Sequence, residues 1–87
     1  MLIRNHIKNT YLYKEFTKNK TFFSPDEKDI RKMLMCTLET PIRVVRQNMI
    51  NSIEISKEFK DRELFDFLML CAKSLKIKLD QEITRFN

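Results

Sequence analysis

The sequence contains no glycine, and this absence excludes several kinds of functional site. Phosphate-binding P-loops and dinucleotide-binding fingerprints need glycine where the backbone approaches a phosphate, and nucleophile elbows and tight β-hairpin turns need it as well. With 87 residues, the chain is long enough for one domain with a thin core. It also has only two prolines, so few turns are marked by proline. We therefore expect a single all-α domain over residues 1–87.

Residues able to carry out catalysis or to bind a metal are also scarce. Cys36 and Cys71 belong to no Cys-x-x-Cys pair, and the single histidine, His6, cannot complete a zinc site with them. His6 has no acidic partner before Glu15, and no nucleophile is accompanied by a recognisable base. We expect two reduced thiols packed in helices, no metal site and no catalytic site, and hence a protein that is not an enzyme.

The chain lacks long apolar runs, and its charge is uneven. No run approaches the roughly 18 apolar residues of a membrane-spanning helix, so we expect no transmembrane segment. Residues 1–20 contain five bases and one acid, within a net charge of +5 for the whole chain. Such an excess favours an acidic partner: a nucleic acid, an anionic membrane surface or an acidic protein. The acid-free start, MLIRNHIKNTYLYK, lacks the apolar part of a secretory signal and is compatible with mitochondrial import or with a plain basic helix.

The spacing of apolar residues predicts a bundle of three helices. The first extends from Leu2 to Lys18. The second begins at Ser24-Pro25-Asp26-Glu27, where Ser24 is the N-cap and Glu27 completes a capping box. Pro41 either kinks this helix or separates it from another one. The last helix starts at Asp61, as its N-cap, and continues to Thr84.

A short pattern in the first predicted helix points to a family. Leu12-Tyr13-Lys14 is followed by Phe16, Lys18 and Phe23. This segment resembles the motif of the LYR family in its Leu-Tyr-Lys form, which continues with a large apolar residue, a second base and a later phenylalanine. Ile30-Arg31 looks like the Ile-Arg pair on the family's second helix. The resemblance covers residues 12–31, and the predicted three-helix architecture extends it to most of the chain.

The resemblance implies a small, non-enzymatic helical protein on the matrix side of the mitochondrial inner membrane. LYR proteins serve as accessory subunits or assembly factors of respiratory complexes, and complex I is the leading expectation here. Many of them bind the mitochondrial acyl carrier protein. That partner is strongly acidic, and its acyl chain, carried on phosphopantetheine, inserts between the three helices. The acyl-phosphopantetheine of the partner is the only cofactor implied.

Two sets of residues follow from the resemblance. The partner-binding set combines the LYR-like residues with a basic patch: Leu12, Tyr13, Lys14, Lys18, Arg31, Arg43 and Arg46. The acyl-tunnel set combines inward residues of the predicted helices with the later phenylalanine of the motif: Leu12, Phe16, Phe23, Ile30, Leu34, Leu68, Cys71 and Leu75. The same inward faces are also typical of a closed core in which apolar side chains pack only against one another.

Two other functions are compatible with the sequence. Lys18, Lys20, Phe22 and Phe23 could clamp a single nucleic-acid strand, as in a ribosome-associated module, or the two phenylalanines could plug one end of the bundle. No known nucleic-acid-binding motif is present, so nucleic acid is the less favoured partner. A small regulatory protein that docks through one helix face is the third hypothesis.

Overall fold

This computed structural model describes residues 3–87 of the chain. These residues contain six α-helices and no strand. The helices in chain order are α1 (Ile3–Lys8), α2 (Tyr11–Lys18), α3 (Glu27–Met33), α4 (Ile42–Glu58), α5 (Arg62–Ser74) and α6 (Gln81–Thr84). The prediction of an all-α fold is confirmed. Six helices are found where three were predicted, because each predicted helix is interrupted.

The first predicted helix is interrupted at Thr10. The Thr10 hydroxyl donates to the carbonyl of Ile7 at 2.7 Å and accepts from the backbone N–H of Tyr13 at 3.2 Å. One side chain therefore ends α1 and caps α2. The prediction of a continuous first helix is wrong, since the Thr10 side chain bonds to the Ile7 carbonyl before the break and to the Tyr13 N–H after it. The predicted starting residue, Leu2, lies outside the described residues.

One prediction about the second helix is corrected, and the alternative left open at Pro41 is decided. α3 begins at Glu27, and its N-cap position belongs to Asp26, so Ser24 is not the N-cap. α3 ends at Met33, and α4 begins at Ile42 after Pro41, which has an extended backbone (φ −57°, ψ 144°). Pro41 thus separates two helices and kinks neither, because its extended ψ starts a new helix.

The start of the last predicted helix is confirmed, and its end is wrong. The Asp61 carboxylate accepts a hydrogen bond from the backbone N–H of Leu64 at 3.1 Å, which makes Asp61 the N-cap of α5. α5 ends at Ser74, well before Thr84. Lys76 has a left-handed backbone with φ 58°, which a continuing helix cannot contain.

The core is centred on the pair formed by α4 and α5, which only three residues connect. α1 and α6 pack on α4, and α2 packs on α1 and α3. The radius of gyration, 11.9 Å, agrees with the roughly 12 Å expected for a folded chain of this length. The buried apolar side chains form one cluster: Ile7, Leu12, Tyr13, Phe16, Ile30, Met33, Leu34, Cys36, Val45, Met49, Ile53, Leu64, Phe65, Phe67, Leu68, Cys71 and Ala72.

Three helices end in a turn that normally contains glycine. The residues with positive φ are Met35 (62°), Lys60 (52°) and Lys76 (58°), each one position after the C-cap of α3, α4 or α5. The next residue's N–H reaches back into the helix in each case: Cys36 to Arg31, Asp61 to Ser56 and Ile77 to Ala72. These are Schellman motifs, and a side chain in the left-handed conformation costs roughly 1–2 kcal/mol.

We expect Lys60→Gly to raise the free energy of unfolding by about 0.5–1 kcal/mol. Glycine avoids the Cβ penalty at this position, although it also adds entropy to the unfolded chain. Glu54→Gly, at an exposed site inside α4, is the control and should lower the free energy of unfolding by about 1 kcal/mol. Urea unfolding measures both variants, and a loss of stability in both would contradict the left-handed assignment.

Candidate functional site

The LYR-like segment forms α2, and the two sides of this helix differ completely. Leu12, Tyr13 and Phe16 are buried, whereas Lys14 and Lys18 are exposed one helical turn apart. Within residues 3–87, neither lysine forms an ion pair. The outer side of α2 therefore presents two positive charges to solvent, and the inner side is part of the core.

Tyr13 connects α2 to the start of α5. Its hydroxyl donates to Oε1 of Glu63 at 3.1 Å, and Nζ of Lys20 lies 2.8 Å from Oε2 of the same carboxylate. Burial, together with the charge and hydrogen bond of Glu63, raises the pKa of Tyr13. The hydrogen bond from Lys20 is the main reason that the pKa of Glu63 is lowered. Tyr13 is thus a neutral, buried donor, which anchors the helix and is not exposed to a partner.

Asp61 joins α1 to the junction of α4 and α5. Its Oδ2 lies 2.7 Å from Nζ of Lys8 and 3.1 Å from Nη2 of Arg4. Burial alone would raise the pKa of Asp61, but hydrogen bonds from Lys8 and from the Leu64 backbone, with the charges of Lys8 and Arg4, lower it overall. The carboxylate therefore stays ionised and holds α1 in place.

Arg31 does not belong to a surface patch, which corrects its place in the partner-binding set. Its guanidinium is buried: Nε donates to Glu27 at 2.9 Å, and Nη1 donates to the carbonyls of Thr37 and Thr40 at 2.8 and 2.7 Å. These bonds fix the connection between α3 and α4. A charge engaged in this way cannot also contact a partner.

Arg43 and Arg46 lie on a different element from the α2 lysines. Both belong to the first turns of α4, and Nε of Arg46 donates to the carbonyl of Lys78 at 3.1 Å. The predicted basic patch is therefore divided between the outer side of α2, with Lys14 and Lys18, and the start of α4.

Aromatic rings fill the space between α2 and α5, where the acyl tunnel was predicted. The centroid of Phe67 lies 5.3 Å from that of Phe16, 5.0 Å from that of Tyr13 and 5.7 Å from that of Phe23. Phe16 and Phe23 are in edge contact at 5.4 Å. Phe67 is the centre of this cluster and is absent from the predicted tunnel set, because helical spacing marks an inward face without showing what fills it.

The other tunnel residues are divided between the core and its edge. Ile30, Leu34, Leu68 and Cys71 are buried in the core cluster, and Leu75 is partly buried against it. The structure thus brings the set together within or against one packed core. Burial raises the pKa of the Cys71 thiol to about 12, and both Cys71 and Cys36 are free cysteines. Cys36 follows α3 and lies outside the helices, contrary to expectation.

A surface groove runs between α2 and α3. Tyr11, Leu12 and Asp29 line both of its parts, which have volumes of about 370 and 320 Å³. The first part also includes His6, Thr10, Lys32 and Met33, and the second includes Glu15, Asn19, Phe22, Phe23, Ser24, Pro25 and Asp26. Of the predicted tunnel residues, Leu12 and Phe23 line this groove. We call it the α2–α3 groove.

The α2–α3 groove combines aromatic surface with carboxylates. Tyr11 and Phe22 are exposed, and the side chains of Glu15, Asp26 and Asp29 stand beside them. The charge of Glu15 and its hydrogen bond raise the pKa of Tyr11. Sequence analysis missed Tyr11 and Asp29 because neither lies on a predicted apolar stripe. The available signal was helical spacing: Tyr11 is one turn before Glu15, and Asp29 is one turn before the apolar residue Met33.

The residues of the nucleic-acid hypothesis do not act as one surface. Phe23 is in the aromatic cluster, and Lys20 is paired with Glu63, where it also lies over the ring of Phe16 at 5.5 Å. Phe22 and Lys18 are exposed. One phenylalanine therefore plugs the bundle, and the other is free to contact a partner.

Groups of three or more potential metal ligands are absent from residues 3–87. Over the same residues, no helix is both long and apolar enough to cross a membrane. No protein-family model, curated protein or solved structure matches this chain. The LYR resemblance consequently depends on the residues of α2 and of the segment that follows it.

Asp61→Asn should lower the free energy of unfolding by about 1–2 kcal/mol at pH 7, because asparagine still caps α5 but no longer pairs with Lys8 and Arg4. The folded-state pKa of Asp61 is lowered. Its contribution is therefore complete above the unfolded pKa, about 4, and is lost as the pH falls through the folded pKa. Urea unfolding at neutral and acidic pH measures this.

The control is Asp66→Asn on the same helix. Asp66 forms an exposed pair with Arg62 at 3.0 Å, so its loss should cost less than about 0.5 kcal/mol. Equal effects of the two substitutions at pH 7 would show that Asp61 is no more important than a surface charge.

Proposed function

We propose that this protein is a non-enzymatic adaptor that binds an acidic partner protein through the outer side of α2. One observation carries the proposal: two exposed lysines, Lys14 and Lys18, lie on the helix that also supplies Tyr11 and Leu12 to the α2–α3 groove. A positive edge next to a groove that contains aromatic and aliphatic side chains suits a partner that is acidic and carries an apolar group.

The LYR-like residues give this partner its proposed identity, the mitochondrial acyl carrier protein with its acyl-phosphopantetheine. The protein is then a LYR-like accessory subunit or assembly factor of a respiratory complex, complex I in first place, on the matrix side of the inner membrane. We treat its helices as three LYR-like segments that are each interrupted once, over residues 3–18, 27–58 and 62–84.

In this proposal the acyl chain lies in the α2–α3 groove. The route between α2 and α5 would require the rings of Phe16 and Phe67 to separate, and they are in contact with Tyr13 and Phe23. The groove needs no such rearrangement of the core. Each methylene that it removes from water contributes about 0.8 kcal/mol. Leu12 and Phe23 are then the residues of the predicted tunnel set that contact the chain.

Charge determines the side from which the carrier protein approaches. Glu15, Asp26 and Asp29 line the groove and repel an acidic protein surface. Lys14 and Lys18 attract the same surface on the outer side of α2. The folded carrier protein therefore docks on the lysines, and only its neutral acyl chain passes Tyr11 into the groove.

Reversing both charges, Lys14→Glu with Lys18→Glu, should weaken binding of the acylated carrier protein about tenfold or more at low salt. Circular dichroism should be unchanged, since both side chains are exposed. The control is Lys60→Glu with Lys78→Glu, which changes the net charge equally on other elements and should weaken binding less than about threefold. Titration calorimetry measures the affinities, and an unchanged affinity in the α2 variant would overturn the docking surface.

Asp29→Trp should fill the groove from an exposed position on α3 without disturbing the core. We expect the affinity of this variant for the acylated carrier protein to fall to that for the carrier protein without its acyl group. Asp29→Ala removes the same charge and leaves the groove open, so the gain from the acyl group should remain. If the acyl group adds nothing to the affinity of the unmodified protein, the groove is not an acyl site.

A further inference from the structure

Three exposed apolar side chains lie between the end of α3 and the first residue of α4. Met35, Leu38 and Ile42 are 70, 63 and 52% exposed, and they occur within eight residues of the chain. We call these three residues the apolar tip. Solitary exposed apolar side chains are ordinary, but three within eight residues give this part of the surface an apolar character.

The connection that carries the apolar tip is held in a defined shape. Arg31 donates to the carbonyls of Thr37 and Thr40, and the Thr40 hydroxyl accepts from the backbone N–H of Thr37 at 2.9 Å. Met35 occupies the left-handed position of the turn after α3. The exposed residues of the tip therefore lie in a loop that the buried Arg31 holds in place.

Ile42 continues the core stripe of α4 beyond the core. It lies seven residues before Met49, on the same side of the helix, and Met49 and Val45 are fully buried. Ile42 is 52% exposed, so at this position the stripe faces solvent. An apolar residue that lies on the core-facing stripe of a helix and is still exposed is suited to contact a partner.

Positive charge borders the apolar tip. Arg46 is one helical turn from Ile42, and Arg43 is three residues from Arg46, so the three lie on adjoining faces of α4. The bond from Arg46 to the Lys78 carbonyl brings the C-terminal segment, with its own lysines, to the same side. Glu39 is the acid of the connection itself.

We propose that the apolar tip and its bordering arginines dock the protein on an anionic lipid bilayer. None of the three tip residues lines either part of the α2–α3 groove, and all three are exposed. A fluid bilayer accepts exposed apolar side chains without a preformed pocket, and the phosphates of anionic lipids match the positive charge of the neighbouring arginines. Met35, Leu38 and Ile42 enter the boundary between headgroups and acyl chains, and the guanidinium groups of Arg43 and Arg46 pair with lipid phosphates.

This docking does not depend on the carrier protein. The tip begins after α3 and the arginines belong to α4, whereas the proposed carrier site uses α2 and the groove. Each surface can consequently be tested while the other is intact.

The experiment is co-sedimentation of the full chain with vesicles of phosphatidylcholine alone or mixed with phosphatidylglycerol. The unmodified protein should bind the anionic vesicles, bind the neutral ones at least about tenfold more weakly, and dissociate as salt is raised. Leu38→Asp should reduce binding to anionic vesicles about tenfold or more. Phe22→Asp, at a 79% exposed site beside the groove, is the matched control and should bind as the unmodified protein does.

A second pair of variants tests the arginines. Arg43→Gln should weaken binding to anionic vesicles about fivefold, the value expected for one basic residue at such a surface. Lys60→Gln removes the same charge just beyond the other end of α4 and should have a much smaller effect. Circular dichroism of every variant verifies that the helices are retained.

Three results would overturn the proposal. The first is failure of the unmodified protein to bind anionic vesicles. The second is an equal loss of binding in Leu38→Asp and Phe22→Asp, which would show attraction without a defined tip. The third is a dimer, seen by light scattering, that Leu38→Asp dissociates, because the tip would then be covered by a second copy of the chain.

Discussion

The carboxylate of Asp61 is the interaction on which the arrangement of the helices depends. The backbone N–H of Asp61 closes the turn that ends α4, and its side chain caps α5. Lys8 and Arg4 of α1 both pair with the same carboxylate. A partly buried charge of this kind is stable only when its desolvation is compensated, and two cations and one N–H do so here. Because α1 leads into α2 through Thr10, the position of α1 also decides where the exposed side of α2 lies.

The sequence was sufficient for the helical class, for the cap at Asp61 and for a boundary at Pro41, because each of these depends on strong local chemistry. It was insufficient for the helix ends. In most chains a glycine marks the left-handed turn after a helix, and here Lys60 and Lys76 occupy that position with nothing in their side chains to announce it. The prediction of Ser24 as the N-cap of α3 was wrong for a related reason. Ser24 and Asp26 both belong to the residue types that favour an N-cap, so residue type alone does not decide between them.

The candidate site divides along the same line between local and tertiary information. Helical spacing correctly identified the inward residues of α2, α3 and α5, and it could not distinguish a core filled by its own rings from a tunnel for a guest. Arg31 illustrates the point for charge. Its sequence neighbours suggest a surface base, but the loop after α3 turns the carbonyls of Thr37 and Thr40 toward it, and the guanidinium is buried against them.

The distribution of charge over the folded chain gives the net value of +5 a meaning that composition alone does not. Several bases are used internally: Arg4 and Lys8 on Asp61, Lys20 on Glu63, and Arg31 on Glu27. The bases that face solvent without such partners include Lys14 and Lys18 on α2 and Arg43 at the start of α4, while carboxylates gather along the α2–α3 groove. An anionic surface that approaches this molecule is therefore attracted at two separate places and repelled between α2 and α3. In both proposals an apolar surface adjoins the positive place, so the contacts that follow electrostatic attraction are hydrophobic and would distinguish one anionic partner from another.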